Sequence, residues 1–250
     1  MLIVVFFPLL IFSCLGSSNL DAIGTLAPSH QIWDELVRQH VSESGNVDYK
    51  GFIKDGAKLQ QYLHLLSQSP PDKSTWSEQE QLAYWINAYN AFTVKLIIDN
   101  YPVKSITDLH PTLYIPGINT VWHKEFFKIG GKEASLDEIE HQILRKQFNE
   151  PRIHFAINCA SVSCPPLRNE AFTATKLDKQ LEEQARQYIN NPEHNKISPD
   201  KIRVSQIFNW FQGDFTKNGT LVAYLNKYSN TRISPDAAID YMKYDWSLNE

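Results

Sequence analysis

Apolar positions between residues 29 and 250 recur mostly at helical spacing. Ile32, Trp33, Leu36, Val37 and Val41 share one stripe, which predicts an amphipathic helix with Ser29 as N-cap and Gly45 as stop. Leu59, Tyr62, Leu63 and Leu66 predict a second helix, ended by Ser69-Pro70-Pro71. Residues 77–102 predict the longest, opened by a Ser77/Glu80 capping box and closed by Pro102. Its apolar positions, Leu82, Trp85, Ile86, Tyr89, Phe92, Leu96 and Ile97, leave little polar arc, so this helix is expected to be the buried centre of the fold. Asn87 and Asn90 stand in that apolar setting. A buried amide left unpaired costs about 1–3 kcal/mol, so both are expected to tie down loops or to line a binding site.

Period-2 patterns are fewer. Trp122-His123 and residues 126–134 read as strand material with a hairpin turn at Gly130-Gly131. A second capping box, Ser135/Glu138, opens a helix that stops before Pro151. Residues 152–158 alternate, with Ile153, Phe155 and Ile157 on one face and His154, Ala156 and Asn158 on the other, and predict a strand. Thr175 is the expected cap of a helix bearing Leu177, Leu181 and Tyr188. A hairpin over 196–204 and helical pieces near 205–212 and 219–228 follow. Strands sit in hairpins rather than in a βαβ rhythm. The expected fold is therefore α+β, a mostly helical single domain with a small antiparallel sheet packed on the buried central helix. No Pro/Gly/Ser-rich boundary interrupts residues 29–250, so they are read as one globular domain after a tether at 19–28.

The 250 residues are 42% hydrophobic and 12% aromatic, which excludes a disordered chain. Lys and Arg number 24 against 28 Asp and Glu, a net charge of −4 with no basic footprint for nucleic acid. Leu2 to Phe12 is an unbroken apolar run ahead of the first charge at Asp21. It is about half the 20 residues a spanning helix needs, so residues 1–18 are read as a signal peptide and the mature chain as exported, periplasmic or extracellular, without a transmembrane helix. Cys14 loosely matches a lipoprotein box, and lipid anchoring through it is the alternative to plain secretion. Removal of the segment leaves Cys159 and Cys164, an even number that suits an oxidising compartment.

AYWINAYNAF (83–92), SLDEIEHQILR (135–145), RIHFAINCASVSCPPLR (152–168), IFNWFQGDF (207–215) and YDWSLN (244–249) together resemble the domain of unknown function 547 family. With Val47-Asp48-Tyr49 the similarity spans roughly residues 30–250. The resemblance implies a fold family and motif positions; it implies no activity, substrate or partner.

Candidate chemistry rests on the residues themselves. A cysteine nucleophile, Cys159 or Cys164, needs a base and a group to orient it. His154 is too distant if 154–159 is extended, since five steps of about 3.3 Å put it about 16 Å from Cys159. His141, with Asp137 one helical turn before it, or His123 would then be the base. The competing reading of the two cysteines is a disulfide closing the short loop between them. A metal site built on His123, Glu140, His141 or His154 matches no compact ligand spacing, and no metal is assigned. Neither a phosphate loop, a dinucleotide fingerprint nor a nucleophile elbow occurs, so no cofactor is implied. Trp122, Trp210 and Trp246 read as packing residues, or as a sugar platform if exposed. The favoured function is a binding or scaffold module with a Cys159–Cys164 disulfide, and the alternative is a thiol-dependent hydrolase or acyltransferase. In either case a shared site is expected to gather Asn87, Asn90, His141, His154, Cys159 and Ser163.

Overall fold

A computed structural model describes residues 26–113, 115 and 118–250. The expected signal segment, Cys14 and most of the tether lie outside the described residues.

The first four helices form an all-helical layer. Helix α1 (Gln31–His40) turns Trp33, Leu36, Val37 and His40 inward. It begins one residue later than predicted: the Ser29 hydroxyl still accepts the Gln31 amide (3.2 Å), but the N-cap position is His30. Helix α2 (Tyr49–Lys54) is capped by the Asp48 carboxylate, which accepts from Gly51 N at 2.9 Å, and leads into α3 (Gly56–Gln68). Helix α4 (Glu78–Asp99) is the predicted centre. Ser77 Oγ accepts from Glu80 N, the Glu80 carboxylate accepts from Ser77 N, and 14 of its residues from Leu82 to Ile97 are buried.

Strands β1 (Phe127–Ile129) and β2 (Lys132–Ala134) make the predicted hairpin. Its two-residue turn needs positive φ at both positions, which Gly130 (59°) and Gly131 (79°) supply without a Cβ penalty. Phe127 stacks on Phe92 of α4 at 3.8 Å, which fixes the hairpin to the central helix. Trp122-His123 is not strand; Val121–His123 is a single 3₁₀ turn.

The helix expected after Ser135 has an unusual body. Residues Glu138–Leu144 are π-helical, the Arg145 amide reaching back to the Glu140 carbonyl, and the α-helical turn α5 (Arg145–Gln147) follows. The predicted strand at 152–158 is absent. Pro151 starts a 3₁₀ helix, Pro151–Phe155, whose first turn is capped by the Glu150 carboxylate accepting from Arg152 N at 3.1 Å. Alternation misled here because residues Ile153 to Asn158 are all buried, so no face is solvated and period 2 has nothing to report. Ile153, Ala156 and Ile157 join the core around α4, whereas Phe155 joins a second core.

That second core lies under α6 (Leu177–Ile189), β3 (Lys196–Ile197), β4 (Lys201–Val204), α7 (Ile207–Trp210), α8 (Gln212–Phe215) and α9 (Leu221–Leu225). The β3–β4 hairpin is as predicted. Strand β5 (Ala238–Tyr241), which no pattern suggested, adds to β4 in parallel, so this sheet is mixed rather than antiparallel. The fold is α+β and mostly helical. Beyond β5 the chain returns across both cores, Ser247 bridging to Ser105 and Leu248 to Ser161. No helix among the described residues is long and apolar enough to cross a membrane.

Candidate functional site

Between the two cores lies a cleft of about 590 Å³. Its polar floor comes largely from the π-helix. Widening the turn brings residues four and five apart into line, so Glu140 and His141 from the π-helix and Asp137 and Arg145 from its two ends all reach the cleft, and π-helical turns are frequent at functional sites.

Arg145 organises this floor. Its Nε donates to Asp214 Oδ2 at 2.6 Å and its Nη1 to His141 Nδ1 at 2.7 Å. An arginine can only donate, so His141 Nδ1 is an acceptor and its proton sits on Nε2, 3.6 Å from Asp137 Oδ1. The Thr120 amide likewise donates to His123 Nδ1, leaving Nε2 of His123 facing the same Asp137 oxygen at 3.4 Å. His154, fully buried and stacked on Phe211 at 4.0 Å, donates from Nε2 to Asp214 at 2.8 Å.

The electrostatics follow. Burial pulls His141 and His154 below their ordinary value, against the opposing pull of Asp137 and Asp214 respectively. Burial alone would raise Asp214, but hydrogen bonds from His154 and Arg145 hold it well below the usual carboxylate range. Glu140 goes the other way: burial pushes it up to about 7, Asp137 and Asp214 adding to the rise while the Tyr89 hydroxyl (3.2 Å) and Arg145 oppose it.

The opposite wall is aromatic. Trp210 and Trp246 stack at 5.8 Å, Tyr244 lies 4.7 Å from Trp210 and 4.5 Å from Trp246, and Trp122 sits 5.6 Å from Trp246. Trp210 is 46% exposed, which for the largest apolar side chain marks a surface left open.

Cys159 and Cys164 form a disulfide with Cα atoms 6.2 Å apart, and both line the cleft. Asn158 Oδ1 accepts the Ala160 amide at 2.8 Å and holds Ala160 in the left-handed region (φ 60°), which turns the loop so that the two cysteines meet.

Of the residues singled out in the sequence, Asp137, His141, His154, Cys159 and Cys164 converge on this cleft. The orienting contact between Asp137 and His141 is present. With no strand at 152–158, His154 is not held a full extended run from Cys159, and both line the cleft. Asn87, Asn90 and Ser163 do not line the cleft. Asn87 pairs with the Phe172 backbone, Asn90 with Ala156 O and Asn158 N, and Ser163 Oγ accepts from Asp245 N at 2.8 Å; each fastens one segment to another. Sequence reasoning passed over Arg145, Asp214, Tyr89 and Tyr244, and took Glu140 only as a metal ligand. All four lie inside the segments 83–92, 135–145, 207–215 and 244–249 that carry the family resemblance, which was their one signal. A larger open groove of about 740 Å³ beside β3 and β4 gathers no comparable acid–base cluster among the described residues, so the interest stays with the inter-core cleft. No group of three or more His, Cys, Asp or Glu side chains among the described residues is arranged to hold a metal ion.

Residues 73–189 match the family model described as Protein of unknown function, DUF547. Over this span the chain is similar to the DUF547 family. The matched span is narrower than the resemblance over 30–250 and contains α4, the π-helix, the disulfide loop and α6. The DUF547 match thus supplies the polar floor of the cleft and the disulfide, while Trp210, Phe211, Asp214, Tyr244 and Trp246 come from the chain after it. No curated protein and no solved structure matches the chain.

Proposed function

We propose that this chain is an exported binding module whose cleft takes a neutral, polyhydroxylated ring compound of the carbohydrate class. The observation that carries this reading is one cleft with an aromatic wall facing a polar floor. Ring faces of Trp210, Trp246 and Tyr244 offer flat apolar area to the C–H face of a sugar, and the floor offers both acceptors and donors to its hydroxyls. Arg145 is already matched by Asp214, so no unpaired cation invites an anionic ligand. The disulfide supports an oxidising compartment, in line with the apolar segment at the start of the chain.

The alternative is a thiol hydrolase using Cys159 or Cys164 with His141. Their meeting in one cleft favours it, but it needs a reduced pair, and His141 Nδ1 is occupied by Arg145.

Isothermal titration of the oxidised full chain with a panel of neutral mono- and disaccharides tests the binding reading. Binding by at least one sugar, weakened about tenfold or more in Trp210→Ala, is expected, since about 1.4 kcal/mol of lost stacking is a factor of ten. The exposure of Trp210 lets the variant fold. If no sugar of the panel binds, the carbohydrate reading fails.

A further inference from the structure

We propose that the Cys159–Cys164 disulfide is chemically reactive: a small-molecule thiol entering the cleft attacks Sγ of Cys159 and expels Cys164 as the thiolate. This goes beyond the carbohydrate reading and does not depend on it.

The two sulfurs are unequal. Cys159 is partly exposed, whereas Cys164 is 5% exposed, so an incoming thiolate meets Cys159 first. The Tyr244 hydroxyl lies within reach of both sulfurs, 3.3 Å from Cys164 and 3.4 Å from Cys159, and Ser161 Oγ lies 3.4 Å from Cys159, but Cys164 Sγ alone also receives a backbone donor, the Cys159 amide at 3.0 Å. A fixed donor stabilises a sulfur more as a thiolate than as half of a disulfide, so the amide makes Cys164 the better leaving group, and the shared Tyr244 hydroxyl can turn to the charge as it forms there. Burial keeps the Tyr244 phenol well above its ordinary value, so it remains a donor at neutral pH.

The loop is also held without the bridge. Ala160 N bonds to Asn158 Oδ1, Cys164 N to Ser161 O (3.0 Å), Val162 N to Ser247 O (2.8 Å), and the Tyr188 hydroxyl to Ser163 O (3.0 Å). After reduction both cysteines therefore stay where they are, facing the cleft, and the pair can close again.

The exchange balances in two steps. In the first, the thiolate sulfur bonds to Cys159 Sγ, the Cys159–Cys164 bond breaks, and its electron pair leaves on Cys164. In the second, another molecule of the same thiol attacks the mixed disulfide, releases the small-molecule disulfide and leaves the protein with two reduced cysteines. Two thiols are oxidised and one disulfide is reduced. A small-molecule disulfide reverses both steps.

Reduced glutathione serves as the probe thiol on the oxidised full chain, with acid quenching and intact-mass analysis. Reduction in the native state, well before the chain unfolds, is expected, and Tyr244→Phe should slow it about fivefold without lowering the melting temperature. Oxidised glutathione offered to Cys164→Ser should leave its adduct on Cys159, and Cys159→Ser should react about tenfold more slowly at Cys164. A merely structural bridge would give neither the Tyr244 effect nor the site preference. Reduction only at the rate of unfolding, an adduct preference for Cys164, or a Tyr244→Phe rate equal to that of the parent would each overturn the proposal.

Discussion

The carboxamide of Asn87 holds both backbone polar groups of Phe172, 85 positions away: Nδ2 donates to the carbonyl at 2.8 Å and Oδ1 accepts the amide at 3.0 Å. A side-chain amide can reproduce the donor–acceptor pair of a neighbouring strand, and here it does so from the face of a buried helix. Asn90, one turn on, repeats the device with Ala156 O and Asn158 N. The central helix thereby fixes the segments on either side of the disulfide loop, although neither Asn touches the cleft.

Replacing Asn87 with Ala strands two buried backbone groups, and about 2–4 kcal/mol of stability should be lost. Urea unfolding measures this. Ligand affinity in the folded variant should be unchanged; a loss of affinity at unaltered stability would put Asn87 in the site after all.

These two asparagines show how far the sequence could be read. Elements specified by neighbours in the chain were legible: the Ser77/Glu80 box, the Gly130-Gly131 turn and the apolar arc of α4 each follow from local chemistry. That Asn87 and Asn90 needed partners was also legible, but not which partners, because Phe172 and Ala156 are brought there by packing of distant segments. Residues 152–158 failed because alternation signals a strand only when one face is wet, and here none is. The π-helix was invisible for a related reason: one widened turn leaves the capping box and the apolar spacing almost unchanged, yet it decides that Glu140 and Arg145 share the cleft with Asp137 and His141.

Glu140 should make stability fall as pH rises. In the unfolded chain its proton leaves near 4.5, and in the fold it is held to about 7. Between those values the native state binds one more proton than the unfolded state, so stability declines with pH and the loss is complete above about 7, amounting to about 3 kcal/mol. Glu140→Gln keeps an acceptor for the Tyr89 hydroxyl and carries no charge. It should match the parent at about pH 4.5 and exceed it by up to about 3 kcal/mol at about pH 8. Equal denaturation midpoints for the two proteins across that range would contradict the raised value.

His154 and Asp214 set the acid limb. The folded His154 binds its proton less readily than the unfolded residue, so below its ordinary value of 6.5 the unfolded state takes up the extra proton and stability falls as pH is lowered. Asp214 acts in the same direction at lower pH, since its held-down carboxyl contributes stability that is present above the usual carboxylate range and lost as pH drops through it. Asp214→Ala leaves the Arg145 guanidinium and buried His154 without their shared acceptor, and about 2–4 kcal/mol should be lost at neutral pH. Chemical denaturation of the variant checks the size, and a flattened acid slope checks the cause.

The last expectation concerns the end of the chain, which carries Tyr244 and Trp246 into the aromatic wall. The Tyr49 hydroxyl donates to Asn249 Oδ1 at 2.7 Å, and Asn249 Nδ2 donates to Asn158 Oδ1 at 3.2 Å, the same oxygen that holds Ala160 in the disulfide loop. Asn249 is buried and lies outside the cleft. Asn249→Ala should therefore cost about 1–3 kcal/mol through the orphaned Tyr49 hydroxyl, and should also weaken any cleft ligand by loosening the tail that positions Trp246. Tyr49→Phe removes the orphan, so in the double variant the two costs should not add, with a coupling of about 0.5–3 kcal/mol. Strictly additive costs would mean that the tail is held by Leu248 and the backbone bridges alone, and that the Tyr49–Asn249 bond carries none of the coupling between the core and the cleft wall.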